Sequence, residues 1–450
     1  MFSTAKIAKL VGGKLLRGTG ETPRRVIHDS RLVQEGDLFI AFKGERTDGH
    51  AFLEEAFARG ACGAIVSAPT AIPKSGRNVI WVEESLRALW TLAAAWRKHL
   101  QATFIGVTGT CGKTTTKMLL AHLLAGELEV FAAPESYNTE IGVPLALLAM
   151  SPSAQVGVFE LGASKPEEIA PLAALLVPQV AILTLVGRGH LAGFENLEAV
   201  AKEKWTLIRL LPPDGTAIVN IDCPELARLA RGWKGDLLSF GLKRGKLRGT
   251  ITEASLGIRV EVEKPPLRLA SSLLGRHNAT NLLAAAACAL HLDISPGAIE
   301  RQVATFKPIS HRLTPLPASF GHLIDDTYNA NPDSMEAALR TLAELELPVS
   351  RRSFVFGDML ELGEAAARFH REILRLALGL GISPIFPVGE LANQAAHDVS
   401  KNVPRGTIIH SDRQELAGCI RRSLKGDRNL LLVKGSRRLG LEGLVERLSG

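Results

Sequence analysis

No Cys-x-x-C pair occurs in this 450-residue chain, and its five cysteines (Cys62, Cys111, Cys223, Cys288, Cys419) are odd in number and widely spaced. That argues against a disulfide framework or a structural zinc site and points to free thiols in a reducing compartment. The N-terminus lacks an unbroken apolar stretch, because Lys6, Lys9 and Lys14 interrupt it. A secretory signal is therefore not expected, and the protein should work in the cytoplasm. The one long uncharged segment, residues 169–187, is broken by Pro171, Pro178 and Gln179, so it reads as a short helix, a turn and a buried strand rather than a membrane span. Low-complexity tracts and fixed-period repeats are also missing. The net charge of +7 favours anionic ligands, but the arginine doublets at 351–352, 421–422 and 437–438 lie far apart. A nucleic-acid-binding stripe would cluster them.

What is present is the balance of an ordinary globular protein, 46% hydrophobic and 22% charged, with length for about three domains of roughly 150 residues each. Residues 1–100 carry a turn-rich stretch, IHDSRLVQEGDLFIAFKGERTDGHAF, and end in an amphipathic run around Trp90 and Trp96. A small α/β unit is expected there. From Thr103 the strand FIGVT, a glycine-rich loop and a helix from Lys113 are followed by VGVFEL, VAILTL and TAIVNI alternating with helices, which predicts a mostly parallel sheet over residues 101–310. Over residues 311–450 the strands HLIDDT, SFVFGD, SPIFPVG, TIIHS and NLLLVKG predict a second, Rossmann-like, doubly wound unit. The fold class is α/β in three domains, with ligands expected beyond the carboxyl ends of the strands.

The strongest local signal is GTCGKTTT, residues 109–116, set between an apolar strand and a helix. Glycines let backbone N–H groups converge on phosphate oxygens; the lysine adds a point charge and the first threonine a magnesium ligand. Gly109, Thr110, Cys111, Gly112, Lys113, Thr114 and Thr115 form this ATP-binding loop, a variant in which Val107 takes the first glycine position of the usual spacing. Glu160 ends a buried strand, where it reads equally as a metal-facing carboxylate or an exposed strand-end acid. His190 follows the next strand at a comparable edge. Lys204 falls amid the apolar face formed by Leu197, Val200, Ala201, Leu207, Ile208 and Leu211, with Lys202, Glu203 and Arg209 on other, solvated faces. An inward lysine loses its charge more readily and its amine can then take up CO₂, although a lysine whose head snorkels to water fits the same pattern. In GRHNATN, N-capping explains Asn278 and leaves Asn281 over for a nucleotide base. The only two tyrosines each precede an asparagine in a polar loop, Tyr137-Asn138 and Tyr328-Asn329.

Together GTCGKTTT, YNTEIGVPL, FELG, GHL, Lys204, GRHNATN, HRL, DDTYNANPDSM, GDMLELGE and VKGS resemble the Mur ligase family in order and spacing, over nearly the whole chain. The resemblance implies an ATP- and Mg²⁺-dependent amide-bond ligase with an N-terminal uridine-nucleotide-binding domain, and the motif variants match its branch that adds D-alanyl-D-alanine to UDP-N-acetylmuramoyl-tripeptide. A monomer is expected, and the scattered charge and the interrupted apolar segment predict no nucleic-acid partner and no membrane insertion. Residue by residue, it assigns Lys113 and Thr114 to the ATP phosphates and magnesium, Glu160 and His190 to two metal ions, and Lys204 to a carbamylated, metal-binding lysine. Lys113, Lys204 and His190 are the implied catalytic residues. Asn281 would meet adenine, with Arg312 and Asp326 reaching the nucleotide from the third domain. Ser30 and Arg31 would hold the uridine diphosphate, and Asn138, Thr139, Tyr328 and Asn329 the rest of the substrate. The sequence departs from the family pattern at Leu185, where asparagine is usual, and at Trp205-Thr206, where Gly-Glu is common.

Overall fold

The computed structural model describes residues 1–18, 20–44, 47–68, 77–189, 192–401 and 403–449. Among them are three sheets, each with helices packed on it. The first has five strands in the order Lys14–Arg17, Asn78–Trp81, Gly63–Val66, Leu38–Ile40, Val26–Ile27, parallel except for the first pair. The turn-rich stretch beside it forms two short 3₁₀ turns, Ser30–Leu32 and Gly49–Phe52, each started by an aspartate side chain (Asp29, Asp48) accepting a backbone N–H two residues on.

The central sheet places Thr103–Thr108 between Val156–Glu160 on one side and Val180–Leu183 on the other, all parallel. Chain order reverses at that strand, so its carboxyl end opens the crevice where doubly wound sheets bind ligands. The strands here are buried along almost their whole length and mostly apolar because helices cover both faces. An antiparallel extension, Leu247–Glu253, Ile258–Val262 and Leu267–Ser271, continues the sheet and was not anticipated. Its last two strands alternate buried and exposed residues, the pattern of a sheet with one wet face. The helix Asn278–His291 is alanine-rich and buried on nearly every side, which lets it pass between the sheet and the helix Lys113–Leu124.

The third sheet runs Thr314–Ala318, Gly321–Asp326, Asn429–Lys434, Arg351–Gly357, Ile385–Val388, antiparallel only in its first pair. TIIHS, expected as a strand, makes only a bridge from Ile408 to Ile385. A turn closed by Thr407 N–H on the Pro404 carbonyl and another from Asp412 to Glu415 leave too few extended residues between them. All five cysteines are unpaired, and among the described residues no helix is long and apolar enough to cross a membrane.

Candidate active site

The carboxyl ends of the central and third sheets face each other across a cavity of about 300 Å³. On the central side, Gly109 and Gly112 hold φ of 154° and 82°, and a Cβ on either would lie 2.0 Å from Thr184 Oγ1 or 2.3 Å from Asn281 Oδ1. Only glycine fits these positions. The loop is braced from the next strand: Thr184 Oγ1 donates to the Cys111 carbonyl (2.6 Å) and Thr110 N–H to the Leu185 carbonyl (2.7 Å). Lys113 curls back so that its ammonium donates to the carbonyls of Gly109 (3.0 Å) and Thr110 (3.4 Å).

Glu160 is not an exposed strand-end acid. It is buried, accepting from Thr114 Oγ1 (2.7 Å) on one oxygen and Asn138 Nδ2 (2.8 Å) on the other. Burial alone would push its carboxyl up, but Lys113, the two hydrogen bonds and Lys117 outweigh that and hold it below the usual carboxylate range. Arg312 reaches over from the third unit, donating from Nη2 to Thr114 Oγ1 (2.8 Å) while its guanidinium lies 3.9 Å from the Tyr328 ring. Its Nε is buried with no partner among the described residues. Asp326 pairs with Lys434 at 2.6 Å, and Lys434 also donates to the Asn329 carbonyl (2.9 Å).

Lys204 points inward, as the helical spacing implied. It is 1% exposed, and burial, with the Lys113 charge adding to it, brings its ammonium down to about 7. Its neighbour Glu203, expected in solvent, is buried too. Both its oxygens accept backbone N–H groups, from Glu167 (2.9 Å) and Ile169 (2.7 Å), at the start of the helix Ile169–Leu176. That long-range cap left no trace in the local pattern. Asn278 likewise does not cap: it is the first helical residue, donating to the Leu274 carbonyl and accepting from Asn281 Nδ2 (2.8 Å). Asn281 Oδ1 in turn accepts from Thr116 Oγ1 at 3.4 Å, which puts it directly under the phosphate loop.

His190 lies outside the described residues. Ser30 and Arg31 sit in the first unit, Ser30 Oγ on Glu55 (2.8 Å) and Arg31 paired with Asp29 (2.7 Å). Thr139 accepts Val143 N–H on its carbonyl at the head of the helix Gly142–Ala149. Residues the sequence did not single out include Arg188, which grips Asp333 and Glu336 of the third unit at 2.7 and 3.1 Å. Lys117 was missed as well; a lysine among Leu119, Leu120 and Leu124 on a helix buried almost all round was the available signal.

A loop shaped for phosphates, an ionised carboxylate on a hydroxyl, and an arginine supplied by a separate doubly wound unit make this a multidomain nucleotide-dependent enzyme whose site is shared between two units. The Mur ligase middle domain matches residues 107–289, the Mur ligase glutamate ligase domain residues 311–437, and the Mur ligase catalytic domain residues 24–97. The UDP-N-acetylmuramoyl-tripeptide–D-alanyl-D-alanine ligase of Bacillus subtilis (strain 168) is 32% identical over 98% of this chain and 97% of its own length. A crystal structure of MurF from Acinetobacter baumannii superposes with a TM-score of 0.87 at 28% identity, covering 100% of this chain and 98% of that one. The MurF ligase of Thermotoga maritima in complex with ADP gives 0.79 at 28% identity, covering 94% of this chain and 96% of its own. The chain belongs to the Mur ligase family.

Proposed function

We propose that this chain joins D-alanyl-D-alanine to UDP-N-acetylmuramoyl-tripeptide, driven by ATP, in peptidoglycan precursor synthesis. The observation that carries the reading is the relay Arg312 to Thr114 to Glu160, through which the third unit reaches the phosphate loop of the second. A carboxylate resists an amine because it is negatively charged and has no competent leaving group. Transfer of the γ-phosphoryl of ATP to the tripeptide's terminal carboxylate removes both obstacles and releases ADP. The dipeptide's amine then attacks the carbonyl carbon of the acyl phosphate, inorganic phosphate departs, and the amine loses a proton as the amide forms.

The chain's part is positioning and charge. Backbone N–H groups of residues 109–115 cradle the phosphates, and Lys113 exchanges its two carbonyl partners for phosphate oxygens. Arg312, whose Nε is unused, adds donors from the other side, while Asn281 meets the base and Asp326 holds Lys434 in the cleft. The Thr114 hydroxyl and the Glu160 carboxylate are hard oxygens at 2.7 Å in a buried setting, a donor pair that suits Mg²⁺ with phosphates and water completing the shell. When bound, the ion withdraws charge from the transferred phosphoryl group. His190 is proposed at a second ion on sequence grounds. Lys204, held near neutrality in a dry site, takes up CO₂ as a carbamate, gaining an anionic oxygen pair and releasing a proton. Ser30 and Arg31 hold the uridine diphosphate, and Asn138, Thr139, Tyr328 and Asn329 line the muramoyl-peptide path. Units of residues 1–100, 101–310 and 311–450, working as a cytoplasmic monomer, belong to the same reading.

Purified protein given Mg²⁺, ATP, UDP-N-acetylmuramoyl-tripeptide (lysine or diaminopimelate form) and D-alanyl-D-alanine should release phosphate only when the dipeptide is present. Its product should be heavier by the dipeptide less one water. Lys113→Ala should lower kcat by about 10³-fold. Phosphate release that ignores the dipeptide, or that follows a free amino acid instead, overturns the reading.

A further inference from the structure

Lys117 touches no reacting group in the chemistry above, yet it is among the largest fully buried side chains of the protein. It lies one helical turn past Lys113 on the helix Lys113–Leu124. Its ammonium has no carboxylate partner at ion-pair distance among the described residues. Instead Nζ donates to the carbonyls of Ala133 and Pro134, the latter at 3.3 Å, just beyond the strand Val130–Ala132.

From this anchor the chain enters residues 135–142, which touch every other part of the molecule. Ser136, held at φ 65°, meets the Tyr328 hydroxyl of the third unit (2.9 Å). The Glu140 carbonyl accepts Trp90 Nε1–H from the first unit (2.8 Å). Asn138 donates to Glu160 (2.8 Å), and its carbonyl accepts Gly162 N–H (2.8 Å). A serine in the left-handed region costs free energy and persists only where its surroundings fix it. A neutral donor would satisfy the two carbonyls without the desolvation of a buried charge. The charge has a second effect that offsets this: it adds to the groups keeping Glu160 ionised.

We propose that Lys117 is a positioning residue for the muramoyl-peptide substrate, pinning the segment 133–142 to the helix that begins beneath the ATP phosphates so that both substrates share one frame. The proposal rests on the ligase reading above. It explains why the segment bearing Asn138 and Thr139, an otherwise irregular stretch after an edge strand, is tied to the nucleotide helix and not merely to its own strand.

In Lys117→Met, the KM for UDP-N-acetylmuramoyl-tripeptide should rise about tenfold or more, as expected for loss of two charge-assisted hydrogen bonds. The Kd of the free enzyme for ATP should stay within about twofold of the wild type. Lys117→Gln, which keeps a donor but no charge, should fall between the two. An unchanged KM for the muramoyl peptide overturns the proposal, as do equal losses of affinity for both substrates, the mark of general loosening. Wild-type protein assayed alongside separates the two claims: no amide from it sinks the ligase reading, whereas amide formation with an unmoved KM in the variant sinks only the role of Lys117. Should the variant fail to fold, hydrogen exchange on the wild type decides. A non-hydrolysable ATP analogue alone should slow exchange in both residues 113–124 and residues 133–142, and protection confined to the helix overturns the pin.

Discussion

The central unit meets its two neighbours through surfaces of different balance. Toward the first unit, Trp96 and Leu100 pack with Phe104, Leu148, Met150 and Phe159 in one continuous buried cluster, and Trp96 Nε1 donates to the Met150 carbonyl (3.2 Å). Toward the third unit only Leu274 joins the neighbouring buried cluster among the described residues, and the side-chain bonds across the cleft are polar: Arg188 on Asp333 and Glu336, Arg312 on Thr114, Ser136 on Tyr328, and Cys111 Sγ beside Asn331 (3.4 Å to Nδ2). Apolar burial is lost in full when such a surface opens, whereas water replaces polar partners at small net cost. The contact with the first unit is therefore the costlier of the two to open, and the contact with the third the cheaper.

The severest test of that contrast is Trp96→Ala. Truncating a buried tryptophan should remove about 3–5 kcal/mol of stability in denaturant unfolding, with the first and central units losing structure in one transition. Two separate transitions for those units would break the comparison. Arg312→Ala should do the reverse, lowering kcat by about 10²-fold through the lost donors at the phosphate loop while shifting stability by less than about 1 kcal/mol. If it destabilises the protein as much as Trp96→Ala does, the polar interface is structural after all.

The same contrast decides what the sequence could reveal. The phosphate loop was legible because strand, glycines, lysine and helix are contiguous, and the inward turn of Lys204 because a helix repeats its faces every 3.6 residues. Each is a local pattern. Glu203 was misread since its partners, Glu167 and Ile169, belong to another segment, and a carboxylate satisfied at long range looks from the sequence like one satisfied by water. Arg188 and Asp333, 145 positions apart, were invisible for the same reason. The antiparallel strands near 247–271 were legible in their alternation, but they were overlooked within a chain whose other strands are parallel and apolar. Asn278 looked like a cap because asparagine favours that place; local bonds to the Leu274 carbonyl four residues before it and to Asn281 three residues after it draw its side chain away from the helix amides instead.

Lys204 stands where the two kinds of surface meet, since its helix neighbours Val200, Ala201, Trp205, Leu207 and Ile208 belong to the cluster shared with the first unit while its ammonium senses Lys113 in the cleft. Its folded value of about 7 lies below the unfolded 10.5. Below about 7 both states hold the proton, and the full penalty of burying a charge is present. Between about 7 and 10.5 the unfolded chain binds more protons, so stability rises with pH, by at most about 1.4 kcal/mol per unit. Relative to Lys204→Met in CO₂-free buffer, the wild type should be least stable near pH 6 and should close the gap as pH climbs. A constant gap from pH 6 to 9 would mean that the ammonium finds water, and the carbamate proposal would lose its basis.

The smallest expected effect is also the most specific to the interface with the third unit. Arg188 is 33% exposed in its side chain, and Asp333 and Glu336 are 23% and 37% exposed, so solvent screens the triad and its net worth is modest. Arg188 also lies 5.7 Å from the Phe369 ring, so part of its hold is packing. Arg188→Ala should lower kcat/KM for the dipeptide by about three- to tenfold with unfolding free energy unchanged within about 0.5 kcal/mol. The screening length falls from about 10 Å at 0.1 M salt to about 3 Å at 1 M, so the ratio of wild type to variant should shrink as sodium chloride is raised. Asp333→Asn should act in the same direction, and the double substitution should add less than the sum of the two. A ratio that ignores salt would assign the latch to the Phe369 contact rather than to charge, leaving the polar character of this interface to rest on Arg312, Ser136 and Cys111.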